Sequence, residues 1–219
     1  MMPDLTRPQV GVGVVFLRGG SVFLAKTPET FSHDADGNLL VDGQWTNTWN
    51  GENRLMALET TAAAVSAGAP RQKVEWSYLA DGRWSQRVVS TWNGSAWVAQ
   101  ATNRFVWDGV VLLAVLNGNN QVEQAYLRGS DLSGSMAGAG GVGGLLAVNA
   151  SANGVHFAAF DGNGNVVGLV SATDGSETAR YEYSPFGETL RATGPKALLN
   201  SLRFSTQFED ESTRNGNLS

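Results

Sequence analysis

Residues Ala179–Thr189 read ARYEYSPFGET. Tyr181 and Tyr183 alternate with Arg180, Glu182 and Ser184, and on a β-strand that period of two puts both tyrosines on one face and the polar residues on the other. Pro185 withdraws a ladder donor, and with Gly187 it turns the chain toward the next strand. The stretch is either a lone loop that grips a substrate or one unit of a repeating wall. A wall requires the aromatic strand and its glycine-containing turn to recur, because each unit must stack on another to bury its face.

The pattern does recur. His33–Glu59 contains a turn at Asp36-Gly37-Asn38, a strand with Trp45 and Trp49, a second turn at Asn50-Gly51, and Arg54-Leu55 opening the next strand. Between Trp76 and Leu116 the dipeptide Asp81-Gly82 and the units Trp92-Asn93-Gly94 and Trp107-Asp108-Gly109 provide three more turns. Phe160-Asp161-Gly162 and Asp174-Gly175 precede the opening stretch. The common unit is an aromatic residue, then Asp, Asn or Ser, then a glycine within three residues, then an extended run. Its irregular spacing excludes a strict solenoid. Glu59–Ala69 (ETTAAAVSAGA) reads as a short helix or a small-residue excursion, and Ser130–Gly144 as a loop of small residues.

Composition agrees with this reading. The chain has 219 residues, enough to bury a sizeable core as one domain, and its 27 glycines and 7 tryptophans suit short strands and tight turns. With no cysteine there are no disulfides, thiolate metal sites or cysteine nucleophiles. A net charge of −5 argues against nucleic acid or an anionic membrane as the main partner. No apolar run reaches the roughly 20 residues that cross a bilayer. Val10–Leu17 (VGVGVVFL) is expected to be a strand, since Asp4 and Pro8 precede it and Arg18 ends it, so no convincing signal peptide is read.

These units carry a resemblance. Trp49-Asn50-Gly51-Glu52-Asn53-Arg54-Leu55, Trp107-Asp108-Gly109 and Phe160-Asp161-Gly162, with LRGSDLSGSMAGAGGVGGLLAV and ARYEYSPFGE, resemble the RHS proteins, the bacterial family of YD repeats, in the region leading into the RHS-associated core. The likeness runs from about Thr27 to about Glu211. It implies an all-β fold of consecutive antiparallel hairpins in a curved, teneurin-like YD shell with at most one short helix. By the same resemblance, residues 27–116 are repeat hairpins, 117–150 a glycine-rich connection, 151–211 repeats entering the core, and 212–219 a divergent tail of one partial region. The implied role is structural and non-enzymatic: part of an exported or cell-surface shell around a carboxy-terminal toxin. The implied partners are the rest of that shell or the toxin. The family's tyrosine-rich continuation and closing motif have no counterpart in Ser212–Ser219, so no self-cleavage residues are carried over, and a degraded fragment of a longer gene is an alternative.

Other chemistry is poorly supported by the residues. Gly138-Ala139-Gly140-Gly141-Val142-Gly143 fits the G-x-G-x-x-G string, but no helix signature follows it, so a structural loop is expected rather than a cofactor site. Asp34-x-Asp36-x-Asn38 and Asp161-x-Asn163-x-Asn165 open like calcium loops but reach Trp45 and Ala172 at the twelfth position, where a glutamate belongs. His33 and His156 are too few for a triad or a three-histidine metal site. Asp81, Asp108, Glu182 and Glu188 could pair as a glycosidase's acid and base, though turns account for Asp81 and Asp108. The rival function is glycan binding on exposed rings such as Trp45 or Trp97.

Overall fold

The computed structural model describes residues 12–17, 20–25 and 28–210. Arg18, the leader-like residues before Val12 and the divergent tail lie outside the described residues. The chain divides into two compact units between Thr102 and Asn103. Strands follow one another in sequence order and every pair is antiparallel, because the links are too short for crossovers.

In the first unit, β1 (Val12–Leu17) and β2 (Gly20–Ala25) pair with each other. A separate meander runs through β3 (Ser32–His33), β4 (Leu39–Val41), β5 (Trp45–Trp49), β6 (Leu55–Thr60), β7 (Gln72–Tyr78) and β8 (Trp84–Trp92). Register brings Asn47, Leu58, Val74 and Val89 directly opposite one another on one face. Trp45 and Trp76 join that row in a buried core, with Tyr78 and Trp84 packed against it. Each such side chain contributes roughly 1.5 to 3 kcal/mol by leaving water, which an isolated hairpin cannot match. The expected helix is α1 (Ala62–Ser66), where the Thr61 hydroxyl caps the Ala64 amide at 3.1 Å. No helix among the described residues is long and apolar enough to cross a membrane.

The second unit begins inside β9 (Trp97–Asp108) and continues through β10 (Val111–Leu116), β11 (Val122–Arg128), β12 (Leu145–Ala150), β13 (Gly154–Phe160), β14 (Val166–Ser171), β15 (Glu177–Tyr183) and β16 (Thr189–Thr193). The stretch 117–150 is therefore more than a connection, since it holds β11 and β12; the glycine-rich loop proper is Gly129–Gly144. Tyr126, Val148 and His156 lie side by side across β11, β12 and β13, all buried. A strap from Gly194 to Asp210, with no regular strand, covers this face. The Tyr181 hydroxyl donates to Ala197 O at 2.8 Å, and Gln124 Nε2 to Leu199 O. The guanidinium of buried Arg203 lies 5.0 Å from the Tyr181 ring centre. On the opposite face Leu127, Ala147 and Phe157 form a row in which Leu127 and Phe157 are exposed.

Candidate functional site

Among the described residues, six strand-to-strand hairpins close with the same five-residue turn, whose two backbone bonds also occur at Asp131 in the glycine-rich loop and at Arg203 in the strap. The six hairpin turns begin at Asp34, Asn50, Leu79, Asn117, Asp161 and Ser184, and in each the first residue's N–H donates to the carbonyl of the fifth, while the fourth residue's N–H donates back to the first residue's carbonyl. That fourth residue has a positive φ every time: Gly37, Asn53, Gly82, Asn120, Gly164 and Gly187. A side-chain oxygen at the first position accepts the amides of the third and fifth residues at Asp34, Asn50, Asn117, Asp161 and Ser184. In the Leu79 turn Asp81 supplies the oxygen instead, accepting the Arg83 amide at 3.1 Å. This is why Asp, Asn or Ser follows the aromatic: it replaces ladder hydrogen bonds that the bend removes.

The aromatic also has a fixed place. The residue before each turn pairs with the residue after it, across a one-residue register shift: His33 with Leu39, Trp49 with Leu55, Tyr78 with Trp84, Leu116 with Val122, Phe160 with Val166 and Tyr183 with Thr189. Three of these residues reach back to the preceding turn. Trp49 Nε1 donates to Leu39 O at 2.8 Å, the Tyr78 hydroxyl to Leu55 O at 2.6 Å and the Tyr183 hydroxyl to Val166 O at 2.5 Å. In every case the acceptor is the residue that follows the previous turn on the same edge of the sheet. Burial pushes the pKa of both tyrosines up, so each hydroxyl stays protonated and donating. The aromatic is thus a clasp between stacked turns as well as packing material.

The remaining units use other geometry. Trp107-Asp108-Gly109 closes tightly, with Asp108 opposite Val111. After Trp92, the Asn93 side chain accepts from Ser95 and Ala96 in a four-residue loop, with Gly94 at positive φ. Gly51 and Gly162, the glycines that the sequence brings forward, do not adopt positive φ; Asn53 and Gly164 do. Arg54 leaves its turn to lie 5.0 Å from the Tyr78 ring. Pro185 and Phe186 occupy the second and third positions of the last turn, with Phe186 almost wholly exposed.

The calcium-like strings are turns whose oxygens face their own chain. Asp34 Oδ2 accepts from Asn38 Nδ2 and Asp161 Oδ2 from Asn165 Nδ2, at 2.9 and 2.7 Å. The hydrogen bond from Asn38 holds the Asp34 carboxyl below its usual range; for Asp161, burial acts upward and is outweighed by Asn165 and the turn amides. The G-x-G-x-x-G string leads into strand β12, and its amides face Asp131 and Thr206 rather than a phosphate site. His33 is exposed; His156 is buried between Thr178 Oγ1 and Asn153 O. Asp81 is held by Arg83, Glu182 pairs with Arg191 at 3.3 Å, and Glu188 is exposed. Trp45 is buried in the core, and half-buried Trp97 meets Trp92 edge-on with its ring 5.2 Å from both Arg71 and Lys73. Both cations are paired, Arg71 with Glu59 and Lys73 with Glu75. The strap is the feature that residue patterning missed, because Ala197, Leu202, Phe204 and Phe208 follow neither period.

No family model matches the chain. It is 25% identical over 187 residues to the tRNA3(Ser)-specific nuclease WapA of Bacillus spizizenii and 24% identical over 187 residues to the tRNA nuclease WapA of Bacillus subtilis, matching 84% of this chain in each case. The chain spans about 7% of the length of these relatives. Among solved structures, TcdB2-TccC3 aligns over 91% of the chain with a TM-score of 0.55 at 12% identity, covering 11% of that structure's chain. The Photorhabdus luminescens Tc holotoxin pore aligns over 81% with a TM-score of 0.56 at 14% identity, covering 8%. The fold is shared with these two structures. The expectation of consecutive antiparallel hairpins therefore holds.

Proposed function

We propose that this chain is a wall segment of an RHS/YD-repeat β-shell that encloses an exported toxin, and that its own residues carry no catalysis. The observation that carries the reading is the recurring turn with its backward clasp. A clasp of this kind adds nothing to a substrate and is useful only for stacking one hairpin on the next. The exposed apolar row of Leu127 and Phe157 supports the same view, since a sheet face of this kind suits a panel with further neighbours. Similarity to a nuclease and to toxin-complex chains, each many times longer than this one, agrees with a segment serving a larger assembly. Export to the cell surface belongs to the same proposal.

The test is a chimera in which this chain replaces the matched stretch of Bacillus subtilis WapA. If the segment is wall, limited proteolysis of the chimera leaves the same resistant body as the parent. Digestion of the grafted stretch, with the flanking protein still resistant, overturns the proposal.

A further inference from the structure

The strap bends at Ser205 and Thr206, whose φ angles are 49° and 53°. Two consecutive non-glycine residues in the left-handed region, one of them β-branched, persist only where their surroundings hold them. The surroundings are two carboxylate-organised turns. On one side, Asp131 is buried under the glycine-rich loop. Its Oδ1 accepts the Ser133 amide and hydroxyl at 2.8 and 2.6 Å, and its Oδ2 accepts the amides of Ala139 and Gly141 at 2.7 and 3.1 Å. Two residues beyond Gly141, the Gly143 amide donates to Thr206 Oγ1 at 2.8 Å, and that hydroxyl donates to Gly164 O at 2.8 Å. On the other side, Asp161 orients Asn165, whose Oδ1 accepts the Ser205 amide at 2.7 Å. The two turns also meet directly: a Cβ placed on Gly164 would lie 3.0 Å from Gly143 N.

We propose that Asp131 is a positioning residue for a latch: by gathering the amides of Ala139 and Gly141 it presents Gly143 to Thr206, and so locks the strained turn that closes the strap over the sheet. The cradle of backbone N–H groups in the glycine-rich loop is filled by the chain's own carboxylate. Without that carboxylate the loop has no anion to fold around, and the Thr206 hydroxyl loses one of its two partners. The strap then lifts from Tyr181 and Gln124 while the strands beneath keep their ladder.

Residue-resolved amide hydrogen exchange on the full chain tests this with Asp131→Asn, Thr206→Val and the double variant. Each single variant is expected to speed exchange at Ser205 and Gln207 by at least about tenfold, with Leu169 and Ala179 changed by less than about twofold, as local opening requires. The double variant is expected to exchange no faster at Ser205 than the faster single, because both act through one contact chain. Unchanged strap exchange, equal acceleration of strap and strands, or multiplying effects in the double variant each overturn the latch. Formate gives a second readout on Asp131→Gly. It should restore strap protection, or folding yield if that variant does not fold, where chloride at equal ionic strength does not. Equal response to the two salts refutes the carboxylate's role.

Discussion

Replacing Tyr183 with Phe removes the clasp hydroxyl and leaves the ring. The hydroxyl donates to Val166 O, and Val166 is fully buried, so its carbonyl has no water to turn to. A neutral hydrogen bond of this kind contributes about 1 kcal/mol net, and the stranded carbonyl raises the cost of Tyr183→Phe to about 1–2 kcal/mol. Tyr183→Ala loses more. Its ring meets Phe204 edge-on with centres 5.7 Å apart, a geometry adding about 0.5–1.5 kcal/mol beyond area. With the half-buried ring gone as well, a total of about 3–4 kcal/mol is expected. Urea titration of both variants and of Tyr78→Phe, which removes the equivalent clasp to Leu55 O, measures these costs, with unchanged m-values confirming a common denatured state. The counter-experiment is Phe160→Tyr. Its neighbouring turn on the same edge is the glycine-rich loop rather than a repeat turn, so an added hydroxyl finds no clasp carbonyl and should not stabilise. If Tyr183→Phe and Tyr78→Phe both stay within about 0.3 kcal/mol of the parent, the hydroxyls only cap the packing and the clasp argument fails.

Gly187→Ala is expected to destabilise by about 2 kcal/mol or more, because φ is 88° and the new Cβ would stand 2.6 Å from the Phe204 ring; thermal melting reads the loss. Ser205→Gly relieves a left-handed φ of 49° and should stabilise by a few tenths to about 1 kcal/mol in the same assay, after allowing for glycine's extra freedom when unfolded. Acid should loosen the latch. The Ser133 hydroxyl and the loop amides lower the Asp131 pKa to about 2, and Asp161 is also lowered, so the stabilisation they give is complete above the unfolded carboxyl range near pH 4 and is lost as pH falls toward 2. Strap exchange followed down that window should accelerate before the strands do; simultaneous loss refutes the assignment. Cell-wall oligosaccharides should leave tryptophan fluorescence unchanged, since Trp45 is buried and Trp97 already carries Arg71 and Lys73; saturable quenching would revive the glycan reading.

The residues that made the fold legible are those whose chemistry is local. Tyr181 and Tyr183 alternate with charge, Thr61 caps a run of alanines, and Asp, Asn or Ser opens five of the six hairpin turns, so strand, helix and hairpin follow from neighbours alone. The positive-φ position was harder to read, because Asn50-Gly51 and Asp161-Gly162 carry a glycine one residue after the side-chain acceptor, while the geometry needs its left-handed residue three after it. Asn53 satisfies that need without being a glycine. The strap was illegible for another reason. Arg203 and Asn200 are polar residues that patterning assigns to solvent, yet each is buried, with Arg203 donating to Ala197 O and Asn200 O. Their partners are backbone groups of Ala197, Asn200 and Leu202 and the Glu209 carboxylate, all in the strap's own curl, and they come together only after it folds.

Irregular spacing and a constant turn are two sides of one design. The turns begin 16 residues apart at Asp34 and Asn50, 29 apart at Asn50 and Leu79, and 23 apart at Asp161 and Ser184, yet each of these pairs is clasped. What the members of each pair share is that two hairpins in succession turn at the same sheet edge, so the length of the intervening strands and the excursion through α1 do not matter. The donors follow that logic: Trp49, Tyr78 and Tyr183 each have a repeat turn behind them on their own edge. Leu116 and Phe160 have none within their unit, and neither side chain has a hydrogen to donate. A wall built this way can lengthen strands, insert a helix or interpose a glycine-rich loop without losing the seam, provided that Tyr or Trp returns wherever one turn stacks on another.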